Sequence, residues 1–145
     1  SADSQTLLVL GVGETARCAM PLSQVTRLEK LSRAELEYSN QNEVVQYRGE
    51  ILPLIQLTNV LGLPPVYAQE SDEINVVVYS EGNRSVGVVV DRIIDIVDTH
   101  VVLSKSSRRQ GLLGSMVIAD HVTDMLDLSE ILRGVNPELF EPTYS

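Results

Sequence analysis

Tryptophan is absent from this chain of 145 residues, cysteine occurs once, histidine twice, and aromatic residues make up 4%. Each shortage closes off a class of function. A single cysteine, Cys18, cannot form an internal disulfide, which suits a reducing, cytoplasmic setting. With so few rings there is no material for the stacking platforms that hold single-stranded nucleic acid. Basic residues are outnumbered, 11 against 20 acidic, for a formal net charge of -9, whereas phosphate binding needs concentrated Lys and Arg. The only basic cluster, Lys105, Arg108 and Arg109, sits in a polar loop, so no nucleic acid partner is expected. No apolar run approaches the ~20 residues of a membrane helix, and no signal-peptide pattern opens the sequence, so no direct membrane insertion is expected. The first residues are Ser-Ala-Asp, without Met, which suits a processed or excised piece of something longer.

Catalytic and metal motifs are equally scarce. No HExxH, CxxC or P-loop occurs. Residues 7–16 read as a strand followed by G-x-G-x-x-A, the spacing of a dinucleotide fingerprint, which requires a helix of about a dozen residues after the glycines. Pro21 stands five residues past Ala16 and would break that helix. A hairpin turn is the better reading, and a nucleotide-binding or hydrolytic small domain built on the Gly11–Gly13 turn is the rival from another class. Cys18 lies in an apolar strand and reads as an inert core thiol. Asp120 and His121 fall at a hairpin tip, where both are ordinary turn formers. Asp91, Asp95 and Asp98 would share a face of a helix, but the β-branched run VDRIIDIVD favours strands, which separate them. No catalytic residue, cofactor or metal ligand is assigned.

What is present is Val, Ile and Leu in short alternating runs, enough in one domain spanning 1–145 to bury a core without a disulfide or metal. The organising stretch is 44–61, VVQYRGEILPLIQLTNVL. Within it Ile51, Pro53 and Ile55 point to one side of a strand and Leu52 and Leu54 to the other, predicting cover on both faces by the fold or by a partner. Residues 44–48 and 51–56 form a hairpin around Arg48-Gly49-Glu50, and Pro53, lacking an N–H, places the strand at an edge or a bulge.

Further strands are predicted at 5–12, 15–20, 24–28, 74–80, 85–91, 93–97, 101–103, 113–119 and 121–127. A helical turn capped by Ser32 falls at 32–36, and short helices begin near Leu57 and Leu128, the first stopped by Gly62. Gly87, inside a strand, predicts a bulge or a closely approaching backbone. Residues 64–73 read as a linker, 104–110 as a charged loop and 135–145 as a tail. A shift of 71 positions lays 51–61 over 122–132, matching Ile51 to Val122, Leu54 to Met125, Leu57 to Leu128 and Thr58 to Ser129. If this is a true repeat, it implies two similar β units, each closed by a short helix.

The run Tyr47-Arg48-Gly49-Glu50-Ile51-Leu52-Pro53-Leu54-Ile55-Gln56-Leu57 with Leu61-Gly62 resembles the hallmark of the CheW-like domains of bacterial chemotaxis. Residues 86–91 with Ile94, and 5–10 with Pro21 and Val25, are similar to two other stretches of that family, so the resemblance covers about residues 5 to 133. It implies a mainly β fold of two five-stranded SH3-like β-barrels sharing a core, with a few short helices. It also implies a non-catalytic adaptor whose partners are a chemotaxis kinase or coupling protein and the chemoreceptor cytoplasmic tip. The free coupling protein usually reads Asn-Leu-Arg-Gly where this chain has Gln46-Tyr47-Arg48-Gly49. That departure, residues 122–127 and the tail segment 136–141 look more like the regulatory domain of the kinase itself.

The protein-interface candidates are Arg48, Gly49, Leu52, Pro53, Leu54, Val89 and Asp91. Arg48 matches the family's turn arginine, where it either meets a partner's carboxylate or bonds local carbonyls. Gly49 reads as a turn requirement before a contact. Pro53 marks an unpaired edge. Leu52 and Leu54 read as core before interface, and Val89 and Asp91 share that alternative.

Overall fold

The computed structural model describes residues 4–64 and 72–135, so most of the linker expected at 64–73 and of the tail expected at 135–145 lies outside the described residues. Strands β1 (Ser4–Val12) and β2 (Ala16–Pro21) form the first hairpin. A 3₁₀ turn at Leu22–Gln24 then leads to β3 (Arg27–Ser32), where continuous extension over 24–28 was expected. Ser32 starts a second 3₁₀ turn, Arg33–Glu35, its Oγ accepting the Ala34 N–H at 3.2 Å, as the capping rule predicts.

A meander follows, of β4 (Glu37–Ser39), β5 (Asn42–Tyr47) and β6 (Glu50–Gln56), running into α1 (Leu57–Val60). Gly62, at φ 69°, ends this helix: its N–H bonds the Asn59 carbonyl at 3.1 Å and the Leu63 N–H bonds that of Thr58 at 3.0 Å. Next come the hairpin β7 (Glu73–Glu81) and β8 (Arg84–Val90), which passes through Asp91 into β9 (Arg92–His100). The hairpin β10 (Leu112–Ile118) and β11 (His121–Leu126) and the helix α2 (Leu128–Val135) complete the described chain.

These strands build two sheets, ordered β10-β11-β2-β1-β9 and β3-β7-β8-β6-β5-β4. The two have the same wiring. Each holds an antiparallel hairpin (β1-β2; β7-β8) flanked on one side by an antiparallel strand (β9; β3). On the other side a parallel pairing (β2 with β11; β8 with β6) joins it to a second hairpin. The hairpin turns also agree under the shift of 71, since Arg48-Gly49 falls on Ala119-Asp120 and all four have positive φ. The repeat is therefore real, and the two SH3-like barrels expected are present, the second carrying the short β4 as a sixth strand.

Alternation decides where the cores lie. In β1, Leu7 and Val9 turn into the first barrel while Leu8, Leu10 and Val12 turn the other way. In β7, Val76 and Val78 fill the second barrel while Val77 and Tyr79 turn out of it; in β8, Val89 goes in and Val86, Val88 and Val90 go out. The outward sets meet in one large core between the barrels, closed by Leu57 of α1 and Leu128, Ile131 and Leu132 of α2.

Several expectations are corrected here. The fold itself covers both faces of β1, β7 and β8, whereas in β6 it seals Leu52 and Leu54 and leaves Ile51, on the other face, 67% exposed. Pro53 is at neither an edge nor a bulge, because β6 lies between β5 and β8 and its register with β5 runs unbroken through Val44–Pro53. The proline is tolerated because a two-residue loop makes Tyr47–Glu50 a hydrogen-bonded pair, hence Val44–Pro53 a non-bonded one. Its nitrogen then faces away from β5, just before the β8 ladder starts at Leu54. The atoms that crowd Gly87 most closely are side chains, and no bulge interrupts its ladders: a Cβ there would lie 2.7 Å from Leu54 Cδ2 and 2.8 Å from Val76 Cγ1. Residues 101–103 form no strand, although Val101 and Leu103 still pack on the first barrel's core.

Substituting Gly87→Ala therefore overfills the second barrel and is expected to cost about 1–3 kcal/mol in urea denaturation, with no change in far-ultraviolet dichroism.

Candidate protein-interaction surface

The β5–β6 hairpin closes on a two-residue loop with φ 52° at Arg48 and 79° at Gly49, the signature of a type I′ turn. Nothing lies within 4 Å of a Cβ built on Gly49, so glycine serves the backbone here and not packing. Arg48 is exposed, its guanidinium 5.6 Å from the Tyr47 ring centroid, and among the described residues it makes no hydrogen bond to a local carbonyl. The Tyr47 hydroxyl donates to Glu29 Oε1 at 2.9 Å, which holds the ring under that cation.

Beside the tip, Ile51, Val44 and Pro53 share one outer face, with Ile51 67% exposed. Tyr38, 72% exposed, shares a groove of about 480 Å³ with Val44, Arg48 and Ile51. A second groove, of about 540 Å³, continues from Ile51 and Pro53 past Ile55 and Val60 to Val135 of α2. The equivalent hairpin of the first barrel carries an exposed pair as well, Val117 opposite Val122, at 64% and 70% exposure.

The seven candidates thus separate. Arg48 and Gly49 stand at the tip and Pro53 on the outer face beside Ile51. Leu52, Leu54 and Val89, exposed by 2%, 7% and 7%, lie together inside the second barrel and offer nothing to a partner in this conformation. Asp91 lies elsewhere, at the end of β8, where Oδ2 accepts from the Gly13 N–H at 2.6 Å and from the Thr58 hydroxyl at 3.0 Å. Ile51, Tyr38, Val117 and Val122 were missed as surface residues. The signal available for two of them was the alignment of Ile51 with Val122 at a position where both strands are apolar.

The glycine turn at 11–13 is answered by the same contacts. β2 follows it, not a helix, its Gly13 amide is taken by Asp91, and the Arg92 guanidinium covers Gly11. The phosphate-binding geometry of the rival reading is absent from this turn. Cys18 is buried, and desolvation, aided by the nearby Asp124 charge, pushes its thiol up to about 12.

Paired barrels with buried cores, apolar grooves open at the surface and an arginine-tipped turn define a two-barrel β domain among whose described residues no group of three or more His, Cys, Asp or Glu could hold a metal ion. The CheW-like domain profile matches residues 6–136. The chain belongs to the CheW-like domain family. It is 30% identical over 87 residues to the sensor histidine kinase CheAY of Helicobacter pylori, a match covering 60% of this chain and 11% of that kinase. Its fold is similar to that of the scaffolding protein TtCheW from Thermoanaerobacter tengcongensis, with a TM-score of 0.73 and 16% identity over 94% of this chain and 97% of that one.

Two outcomes follow. A type I′ turn prefers Asn-Gly, so Arg48→Asn is expected to keep or raise thermal stability, whereas Gly49→Ala forces a Cβ into the left-handed region and costs about 1 kcal/mol. For Cys18, the folded-state pKa lies above the unfolded one, so its stabilising contribution is complete below pH 9 and is lost as pH rises toward 12. Native protein should resist iodoacetamide at pH 8 and react once unfolded in urea.

Proposed function

We propose that this chain is a non-catalytic adaptor domain that couples chemoreceptors to the chemotaxis histidine kinase, and that it is the regulatory CheW-like domain of such a kinase. The match across residues 6–136 carries the reading. The kinase assignment is supported by the 30% identity to a sensor histidine kinase and by Tyr47-Arg48-Gly49 where free coupling proteins usually read Leu-Arg-Gly. The second reading, a free coupling protein, is favoured by the like-sized structural match to a scaffolding protein. Partners in either case are a kinase or coupling protein and the receptor's cytoplasmic tip, at a cytoplasmic face of the receptor array. Among the described residues no helix is long and apolar enough to cross a membrane.

The docking surface proposed is the turn Arg48-Gly49 with Ile51 and Pro53, where exposed aliphatic area lies beside a cation. Aromatic residues and arginines desolvated at the centre of an interface carry much of its energy, and Tyr38 and Arg48 line the same groove as Ile51. Titration calorimetry of Ile51→Glu against purified coupling protein and against a receptor-tip fragment tests it. At least about a tenfold loss of affinity, roughly 1.4 kcal/mol, is expected for one of them with the melting temperature unchanged. Unchanged affinity for both would remove this face from the interface. The reading frame upstream of residue 1 separates the two readings, since an ATPase domain there supports the kinase and a start codon at once supports the free adaptor.

A further inference from the structure

The seam between the barrels is tied in two equivalent places by opposite chemistry. At one, Asp91 joins the units: a single carboxylate oxygen accepts from the Gly13 N–H, in the β1–β2 turn of the first barrel, and from the Thr58 hydroxyl, on α1 of the second. The strand that leaves Asp91 adds Arg92, whose NH1 donates to the Gly13 carbonyl at 3.0 Å, and Asn75 Nδ2 donates to the Asp91 carbonyl at 3.3 Å. Gly13 and Thr58 are buried, and the Arg92 guanidinium lies over Gly11, where a Cβ would stand 2.5 Å from it and make the arginine shift.

Under the internal repeat Thr58 corresponds to Ser129 and the β1–β2 turn to the β7–β8 turn, Gly13 at φ 66° matching Gly82 at 63°. There the tie is a cation: Arg133 of α2 donates to Ser129 Oγ and forms an ion pair with Glu81 of β7. The Arg133 and Glu81 side chains are 50% and 35% exposed. Each helix is therefore strapped to the opposite barrel's hairpin, once by a half-buried carboxylate on backbone and hydroxyl donors, once by a solvent-facing ion pair. Exposed pairs contribute little and are screened by salt, whereas hydrogen bonds to a half-buried charge are screened much less.

We propose that the Asp91 network is a fixed pin and the Arg133–Glu81 pair a releasable clasp, so that the last turn of α2 and the β7–β8 hairpin part at the clasp while the shared core keeps the two barrels together. The device is conformational and local, and its position is set by the sequence.

Paired spin labels test it on the full chain, because the buried, high-pKa Cys18 leaves introduced cysteines as the reactive sites. Glu14→Cys with Asn59→Cys spans the pin, and Asn83→Cys with Gln110→Cys spans the clasp, all four positions being exposed. Raising salt to 1 M, where the Debye length is about 3 Å, is expected to widen the clasp distance distribution and leave the pin distribution unchanged. Arg133→Ala should widen the clasp distribution at low salt and abolish its salt response. Asp91→Ala should widen the pin distribution and remove exchange protection from the Gly13 amide. If that variant does not fold, Thr58→Val, which deletes one donor and keeps the shape, makes the same comparison. A clasp distribution indifferent to both salt and Arg133→Ala, or equal widening at both places, would overturn the proposal.

Discussion

Three strands with apolar side chains on both faces hold this molecule together. β1, β7 and β8 each give one face to the interior of their own barrel and the other to the core between barrels. A barrel that buried only its inside would be a small domain with a marginal core. Sharing the outer faces makes a second core that neither barrel could complete alone, and the same strands set the barrels' separation, since sheets packed face to face stand about 10 Å apart. Separation of the units would expose Leu8, Leu10, Val77 and Val88 to water at once, so the hydrophobic term couples the two folds into one.

The duplicated wiring explains why the helices are so short. Each follows the strand that pairs in parallel with the hairpin core, α1 bringing Leu57 over the end of the shared core and the longer α2 bringing Leu128, Ile131 and Leu132. One turn suffices for that at α1, where Gly62 and the Schellman bonds stop the chain immediately. The two units have kept this plug while diverging around it. Gln46 opposite Ile51 stands where Val117 opposes Val122, and the hydroxyl at the second helical position serves an acid in one unit and a base in the other. Equivalent scaffolding with unequal surfaces gives one domain two chemically different ends.

Legibility followed the range of the interaction. The hairpins, the Ser32 cap and the Gly62 stop depend on residues within a few positions of one another, and the local pattern marks each of them. The repeat was readable only over 51–61 against 122–132, because the first barrel is assembled from both ends of the chain and the second from its middle. One shift cannot align strands whose order is permuted. Pro53 misled for a related reason: an N–H missing from a strand says that one side is unpaired at that residue, not that the strand has no neighbour there. Among the interface candidates, Leu52, Leu54 and Val89 were core, and Asp91 was a structural hub reaching Gly13 across 78 positions.

By itself, then, the order of residues determined the β class, the turns, the absence of motifs for chemistry and the family, since composition, alternation and turn conformation act over a few neighbouring residues. Which apolar faces are sealed and which stay open was decided only by the tertiary structure. Ile51 and Leu52 are adjacent and equally greasy, and one is 67% exposed and the other 2%. Burial is a relation to whatever packs opposite, and for these strands the opposing surface comes from far along the chain.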